Sequence, residues 1–125
     1  MAESLDIGKV KAHLRTFARE RDWEKFHTPK NLVMALSGEV GELTELFQWL
    51  TPEESTRVME DPGSAEAVRQ ELADVMIYVI RLLDSLGIDI EQALWRKLQA
   101  NAGKYPVSRV KGKARKYADE SISKP

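Results

Sequence analysis

Cysteine is absent from this 125-residue chain. That removes disulfides and thiolate metal sites, and it suits a cytoplasmic protein. No apolar run approaches ~20 residues without a charge, so no membrane span is expected. Met1 to Val10 carries acidic residues and no long apolar stretch, so it does not read as a secretory signal. A formal net charge of -1 gives no strong overall pull toward nucleic acid, and no stable nucleic-acid partner is expected. Histidine is scarce, with only His13 and His27. A di-iron carboxylate bundle needs two Glu-x-x-His motifs, and only Glu24 to His27 fits the pattern. Sustained two-residue alternation is missing as well, so the chain needs no strand.

What is present is one domain's length of helix-forming sequence, 42% hydrophobic. Asp6 can cap a first helix reaching about Glu20. A connector rich in aromatics, Arg21 to His27, follows. Thr28-Pro29 opens a second helix, expected to run to about Leu50. Thr51-Pro52-Glu53-Glu54 has the capping-box pattern and starts a short extra helix ended by Asp61-Pro62-Gly63. Ser64 is the expected cap of a third long helix ending at Leu86, with Gly87 as its stop. Asp89 caps a fourth, which ends near Lys104. The expected fold is all-α and four-helix-bundle-like, over residues 1–106. Seven of the 19 Lys and Arg residues fall in 103–125 against Asp119 and Glu120, so residues 107–125 read as a basic C-terminal tail behind an acidic body.

Two helices carry acids where apolar residues belong. At ~100° per residue, Glu39 falls within ~20° of Leu32 and Leu50 and ~40° of Leu43, the middle of the apolar stripe. Glu42 projects to the same side. In the third long helix Glu71 lies within ~40° of Val75, Tyr78 and Leu82, and Asp74 repeats the three-residue offset. Unpaired carboxylates in a core cost several kcal/mol each, at roughly the scale of other buried charges, and four together repel. Something positive belongs among them. Oxygen-only ligation selects hard cations, Mg²⁺ first and Mn²⁺ second. Such a site suits hydrolysis of a phosphate ester or anhydride by metal-activated water, with Glu45 placed one turn beyond Glu42 to orient that water or add a ligand.

The third long helix is apolar almost all round, from Val75 to Leu86, and four helices in a small chain do not cover it. A homodimer or homotetramer is therefore expected. Ser37, Gly38 and Gly41 form a small-residue patch that suits close approach of another helix.

The motifs, taken together, resemble a known family. Glu39-x-x-Glu42, a gap of 28 residues and Glu71-x-x-Asp74 are similar to the signature of the all-α, MazG-like nucleoside triphosphate pyrophosphohydrolases. Trp23-Glu24-Lys25-Phe26-His27, Phe47-Gln48-Trp49 and Lys104-Tyr105-Pro106, in that order, resemble the dCTP pyrophosphatase branch. Arg115-Lys116-Tyr117 extends the match, which spans roughly residues 7 to 117. The resemblance implies that Glu39, Glu42, Glu71 and Asp74 hold Mg²⁺. It implies that Trp23, Glu24, Lys25, Phe26, His27, Trp49 and Tyr78 line the nucleoside pocket. It gives Asn101 and Lys104 to the phosphates or the sugar. The implied reaction converts a deoxynucleoside triphosphate, dCTP or a modified relative, to monophosphate and diphosphate, as a means of clearing unwanted nucleotides. The match departs at Leu14, where related eukaryotic enzymes carry a pocket histidine, and His13 beside it points ~100° away on a helix. The competing expectation is a non-catalytic helical module that binds nucleotides or a partner through its apolar helices and basic tail. Release of pyrophosphate with and without Mg²⁺ separates the two.

Overall fold

Asp6 opens the first helix, α1 (Ile7–Glu20), by accepting from the Lys9 amide. The end of α1 is a defined turn. Asp22 has a left-handed backbone, φ 54°. Its amide bonds Arg19 O at 3.1 Å and the Trp23 amide bonds Ala18 O at 2.8 Å. This is the paired closure of a Schellman motif, with aspartate where glycine is usual. The accompanying apolar contact is Trp23 edge-on to Phe17, 5.8 Å between ring centres. The motif thus fixes where Trp23 stands. Asp22→Gly should stabilise the fold by about 0.5–1 kcal/mol, and Asp22→Val should destabilise it by about 1–2 kcal/mol. Denaturant midpoints of the two variants on either side of the wild type check this; equal midpoints would contradict it.

The computed structural model describes residues 4–114. After a 3-10 turn at Glu24–Phe26, Thr28 and Pro29 start α2 (Pro29–Glu45) as expected, with Thr28 accepting from the Asn31 amide. This helix stops one turn short of the expected Leu50. The Thr44 hydroxyl donates back to Val40 O at 2.8 Å, and Thr44 O accepts from both the Phe47 and Gln48 amides. Such back-bonding bends a helix, and the chain tightens into turns through Leu50. The capping box at Thr51 and Glu54 forms with both of its bonds, opening α3 (Pro52–Ser55). A 3-10 turn, Val58–Glu60, leads into α4 (Pro62–Leu86). The cap of α4 is Asp61, not Ser64: the Asp61 carboxylate accepts from the Ser64 amide at 2.9 Å, with Pro62 at the first helical position. Gly87, φ 65°, closes α4 as expected.

The chain divides into two compact units, Met1–Gly87 and Ile88–Pro125. In the first, α2 packs along α4 and α1 packs on α4. Ala18, Leu32, Ala65, Val68, Ile80 and Leu83 are buried between them. The second contains α5 (Ile90–Lys104), capped by Asp89, and the short α6 (Val107–Val110). The described residues are helix, turn and loop without a strand, so the all-α expectation holds. None of these helices is long and apolar enough to cross a membrane. Of the expected basic tail, residues 107–114 hold α6 and the turn after it. Residues 115–125, with the Arg115-Lys116-Tyr117 motif, lie outside the described residues.

Much apolar surface stays exposed. On α4 it includes Leu72 and Met76, each 47% accessible and one turn apart. On α2 it includes Val33, Met34 and Val40. A side chain added at Gly38 or Gly41 would meet nothing within 4 Å. Among the described residues, then, nothing makes the close approach that their small size would serve.

Candidate active site

Helices α2 and α4 bring three carboxylates together. Glu39, Glu42 and Glu71 each place an oxygen so that all three lie within 4.8 Å of one another. Glu39 and Glu71 are half-buried and Glu42 is exposed. Glu39 Oε2 and Glu71 Oε2 are shut away from solvent with no hydrogen-bond partner. A buried acceptor left unmet costs about 1–3 kcal/mol, more when charged. Burial, reinforced by Glu42 and then by Asp74 and Glu71, pushes the Glu39 carboxyl up to about 7. Glu71 is raised too, first by burial and then by Glu42 and Asp74. The orphaned oxygens and the mutual repulsion both fit a cation bound among three oxygen donors. Asp74 is half-buried beside this cluster but is not one of the three oxygens grouped around a common point.

A cavity of about 380 Å³ adjoins the cluster, lined by Leu14, Phe17, Trp23, His27, Glu39, Asp74, Ile77, Tyr78 and Arg81. Its lining joins carboxylates to aromatic and aliphatic surface. Trp23 and His27 stand 6.3 Å apart, ring centre to ring centre, tilted at 59°. Stacking on such rings contributes about 1–3 kcal/mol per nucleobase. His27 accepts at Nδ1 from Arg81 Nε at 3.2 Å. Burial, then the Arg81 charge, lowers the His27 pKa.

Family comparison fits this arrangement. The model of the MazG-like family matches residues 34–119. The chain belongs to the MazG-like family. The chain is 47% identical over 114 residues to dCTP pyrophosphatase 1 of Bos taurus and 44% identical over the same length to that of Homo sapiens. Those matches take in 91% of the chain and 66% and 65% of the two relatives, so the chain spans just under two thirds of their length. A crystal structure of a pyrophosphatase from Archaeoglobus fulgidus DSM 4304 superposes with a TM-score of 0.75 at 38% identity, over 85% of this chain and 97% of that one.

Within this MazG-like fold the residues named from sequence separate into groups. Glu39, Asp74, Trp23, His27 and Tyr78 share the cavity, and Glu42 and Glu71 join Glu39 at the carboxylate cluster. Three connector residues are not in the cavity lining. Glu24 pairs with Arg19 at 3.4 Å, Lys25 pairs with Asp22 at 2.9 Å, and Phe26 lies under the Lys25 ammonium. Glu45 is the exposed last residue of α2, outside the cluster. Trp49 is 87% exposed and also outside the lining. Asn101 and Lys104 sit at the C-terminal end of α5, in the second unit. Phe17, Ile77 and Arg81 also line the cavity, and none of them is among the site residues named from sequence. Arg81 had a signal, since it is the lone cation in the apolar half of α4 and lies seven residues from Asp74, on the same face.

Proposed function

We propose that this chain is a Mg²⁺-dependent nucleoside triphosphate pyrophosphohydrolase that converts dCTP or a modified relative to the monophosphate and diphosphate, a nucleotide-pool cleaning reaction. The observation that carries this reading is the pair of buried, unpartnered oxygens on Glu39 and Glu71 beside an aromatic cavity. The names of the dCTP pyrophosphatase relatives support it. Glu39, Glu42 and Glu71 would hold the metal, with Asp74 next to them. When bound, Mg²⁺ (or Mn²⁺) offsets phosphate charge and makes a bound water acidic enough to attack. The rest falls to the chain itself. Trp23 and His27 offer ring surface to the base, and Tyr78 stands one turn along α4 from Asp74. Glu45 is positioned by the α2 helix one turn beyond Glu42 and would orient the attacking water. Asn101 and Lys104 are assigned to phosphate or sugar on the family resemblance. The test is pyrophosphate release from a panel of nucleoside triphosphates with Mg²⁺ and with EDTA. Turnover of dCTP that needs the metal is expected; metal-independent turnover would overturn the role given to Mg²⁺, and absent turnover would leave the non-catalytic helical module as the better description.

The oligomer belongs to the same proposal. The exposed Leu72 and Met76 on α4 and the open faces of Gly38 and Gly41 on α2 suit cover by a second copy in a homodimer or homotetramer. Met76→Glu should shift the protein toward monomer in sedimentation velocity. A wild type that already sediments as a monomer at micromolar concentration would count against the assembly.

A further inference from the structure

The cavity holds two polar groups of side chains. Glu39 and Asp74 form one, and His27 and Arg81 form the other. Asp74 and Arg81 lie on one face of α4 with ~10 Å of helix axis between them. The second group is built through side chains from three elements. Arg15 on α1 grips Asp84 with two bonds, Nε to Oδ2 at 2.7 Å and a terminal nitrogen to Oδ1. Asp84 Oδ2 is 3.5 Å from Arg81 Nη1. Arg81 Nε donates to His27 Nδ1 at 3.2 Å. The Arg81 and Asp84 side chains are 12% and 11% exposed, so the inner part of this relay is largely out of water, while Arg15 at its outer end is 52% exposed. Arginine keeps its proton in proteins. Nδ1 of His27 must then be an acceptor, and the neutral ring carries its proton on Nε2.

We infer that Arg15 and Asp84 are positioning residues for Arg81, that Arg81 locks His27 as an Nε2–H donor, and that this donor and the Arg81 guanidinium read the acceptor edge of a pyrimidine base. The inference rests on the nucleoside triphosphate hydrolase reading above. His27 in this state and Arg81 offer the base donors only. Cytosine presents two adjacent acceptors, O2 and N3. Uracil and thymine carry N3–H instead, which sets donor against donor. Leu14, Phe17 and Ile77 give the cavity apolar walls, where an unmet donor has little else to bond. One unmet buried donor costs about 1–3 kcal/mol, so discrimination of roughly 10- to 100-fold between these edges is the expected scale.

The experiment measures kcat/KM for dCTP, dUTP and dTTP with wild type, Arg81→Met, Arg81→Lys and His27→Phe. Alongside it, ¹⁵N NMR of the imidazole nitrogens is recorded in a His13→Gln background, where His27 is the remaining histidine. Wild type should favour dCTP by roughly 10- to 100-fold. Arg81→Met should lower the dCTP-to-dUTP ratio about tenfold, mostly through KM, because the freed ring can turn an acceptor to the base. Arg81→Lys should restore part of the ratio. The spectrum should show a proton on Nε2 and a hydrogen-bonded Nδ1 in wild type, with that bond lost in Arg81→Met. Should Arg81→Met not fold, His27→Phe carries the same test, since it keeps a ring and removes the donor. An unchanged ratio in a folded, active variant overturns the inference, as does a wild-type spectrum with the proton on Nδ1. A wild type that shows the expected spectrum but hydrolyses no nucleoside triphosphate overturns the functional reading, and the base-reading step with it.

Discussion

Glu39→Gln and Glu71→Gln should each lower Mg²⁺-dependent turnover at least about 100-fold, a loss of ~2.7 kcal/mol or more in transition-state stabilisation. Both should leave the fold intact. The reason is the asymmetry of the site. In the metal-free protein the cluster is a liability, with two buried oxygens unpartnered and neighbouring carboxylates repelling one another. Replacing one carboxylate by a neutral amide relieves that repulsion, so the melting temperature in EDTA should rise. On the proposed assignment the same change removes a ligand and a charge that would hold the cation, so the rise in melting temperature expected from Mg²⁺ in the wild type should shrink or vanish. Activity and metal-free stability should therefore move in opposite directions. A variant that lost both would point to a structural role. Near-normal turnover in both variants would falsify the metal assignment.

The same cluster makes metal-free stability depend on pH. In the folded chain Glu39 keeps its proton up to about 7. An unfolded glutamate gives up its proton near ~4.3. Between these values the folded state binds more protons than the unfolded state, so stability falls as pH rises through the window. The contribution is full below ~4.3 and gone once pH passes the folded value. In EDTA the melting temperature of the wild type should drop between pH 5 and pH 8, and Glu39→Gln should flatten that drop. Mg²⁺ added at pH 8 should reverse it in the wild type. An equal slope in Glu39→Gln would assign the pH dependence to other groups.

Local chemistry was what the sequence carried best. Asp6, Thr28, Thr51 and Asp89 each cap the helix their position announces, because a cap depends on residues three positions away. The stripe position of Glu39 and Glu71 was legible for a similar reason, since helical period alone decides which face a side chain takes. Two local choices misread the competition between neighbours. Asp61 and Ser64 can both cap, and Pro62 at the first helical position favours Asp61. Thr44, an ordinary helix residue by pattern, bonds back to Val40 where the ladder ends. What periodicity could not show is pairing across the chain. Arg15 and Asp84 are 69 residues apart, and Arg81 and His27 are 54 apart. Nothing in the local sequence of either pair announces the other. The Schellman turn at Asp22 was hidden because aspartate stands where glycine would have marked it.

A mixture of two inactive proteins, Trp23→Ala and Trp49→Ala, should regain activity when their subunits exchange. Distance is the reason. Trp23 and His27 precede α2, and Trp49 follows its end. A helix of 17 residues is about 25 Å long, so one chain does not easily set all three around one base. Trp23 and His27 line the cavity, whereas Trp49 is outside the lining and 87% exposed. An indole so exposed gains little from its own chain. Two copies of α2 running antiparallel would bring Trp49 of one copy beside Trp23 and His27 of the other. The open faces at Gly38 and Gly41 leave room for backbones to approach. If each pocket is shared in this way, a mixed dimer holds one pocket lacking both rings and one pocket intact. Random exchange of equal amounts makes half of all dimers mixed, so up to about a quarter of wild-type site activity should return. Each parent alone should remain at its own low level. Exchange must be shown independently, by energy transfer between differently labelled subunits. Demonstrated exchange without recovery would mean that the pocket belongs to a single chain, and that Trp49 does not reach the base in the assembled protein.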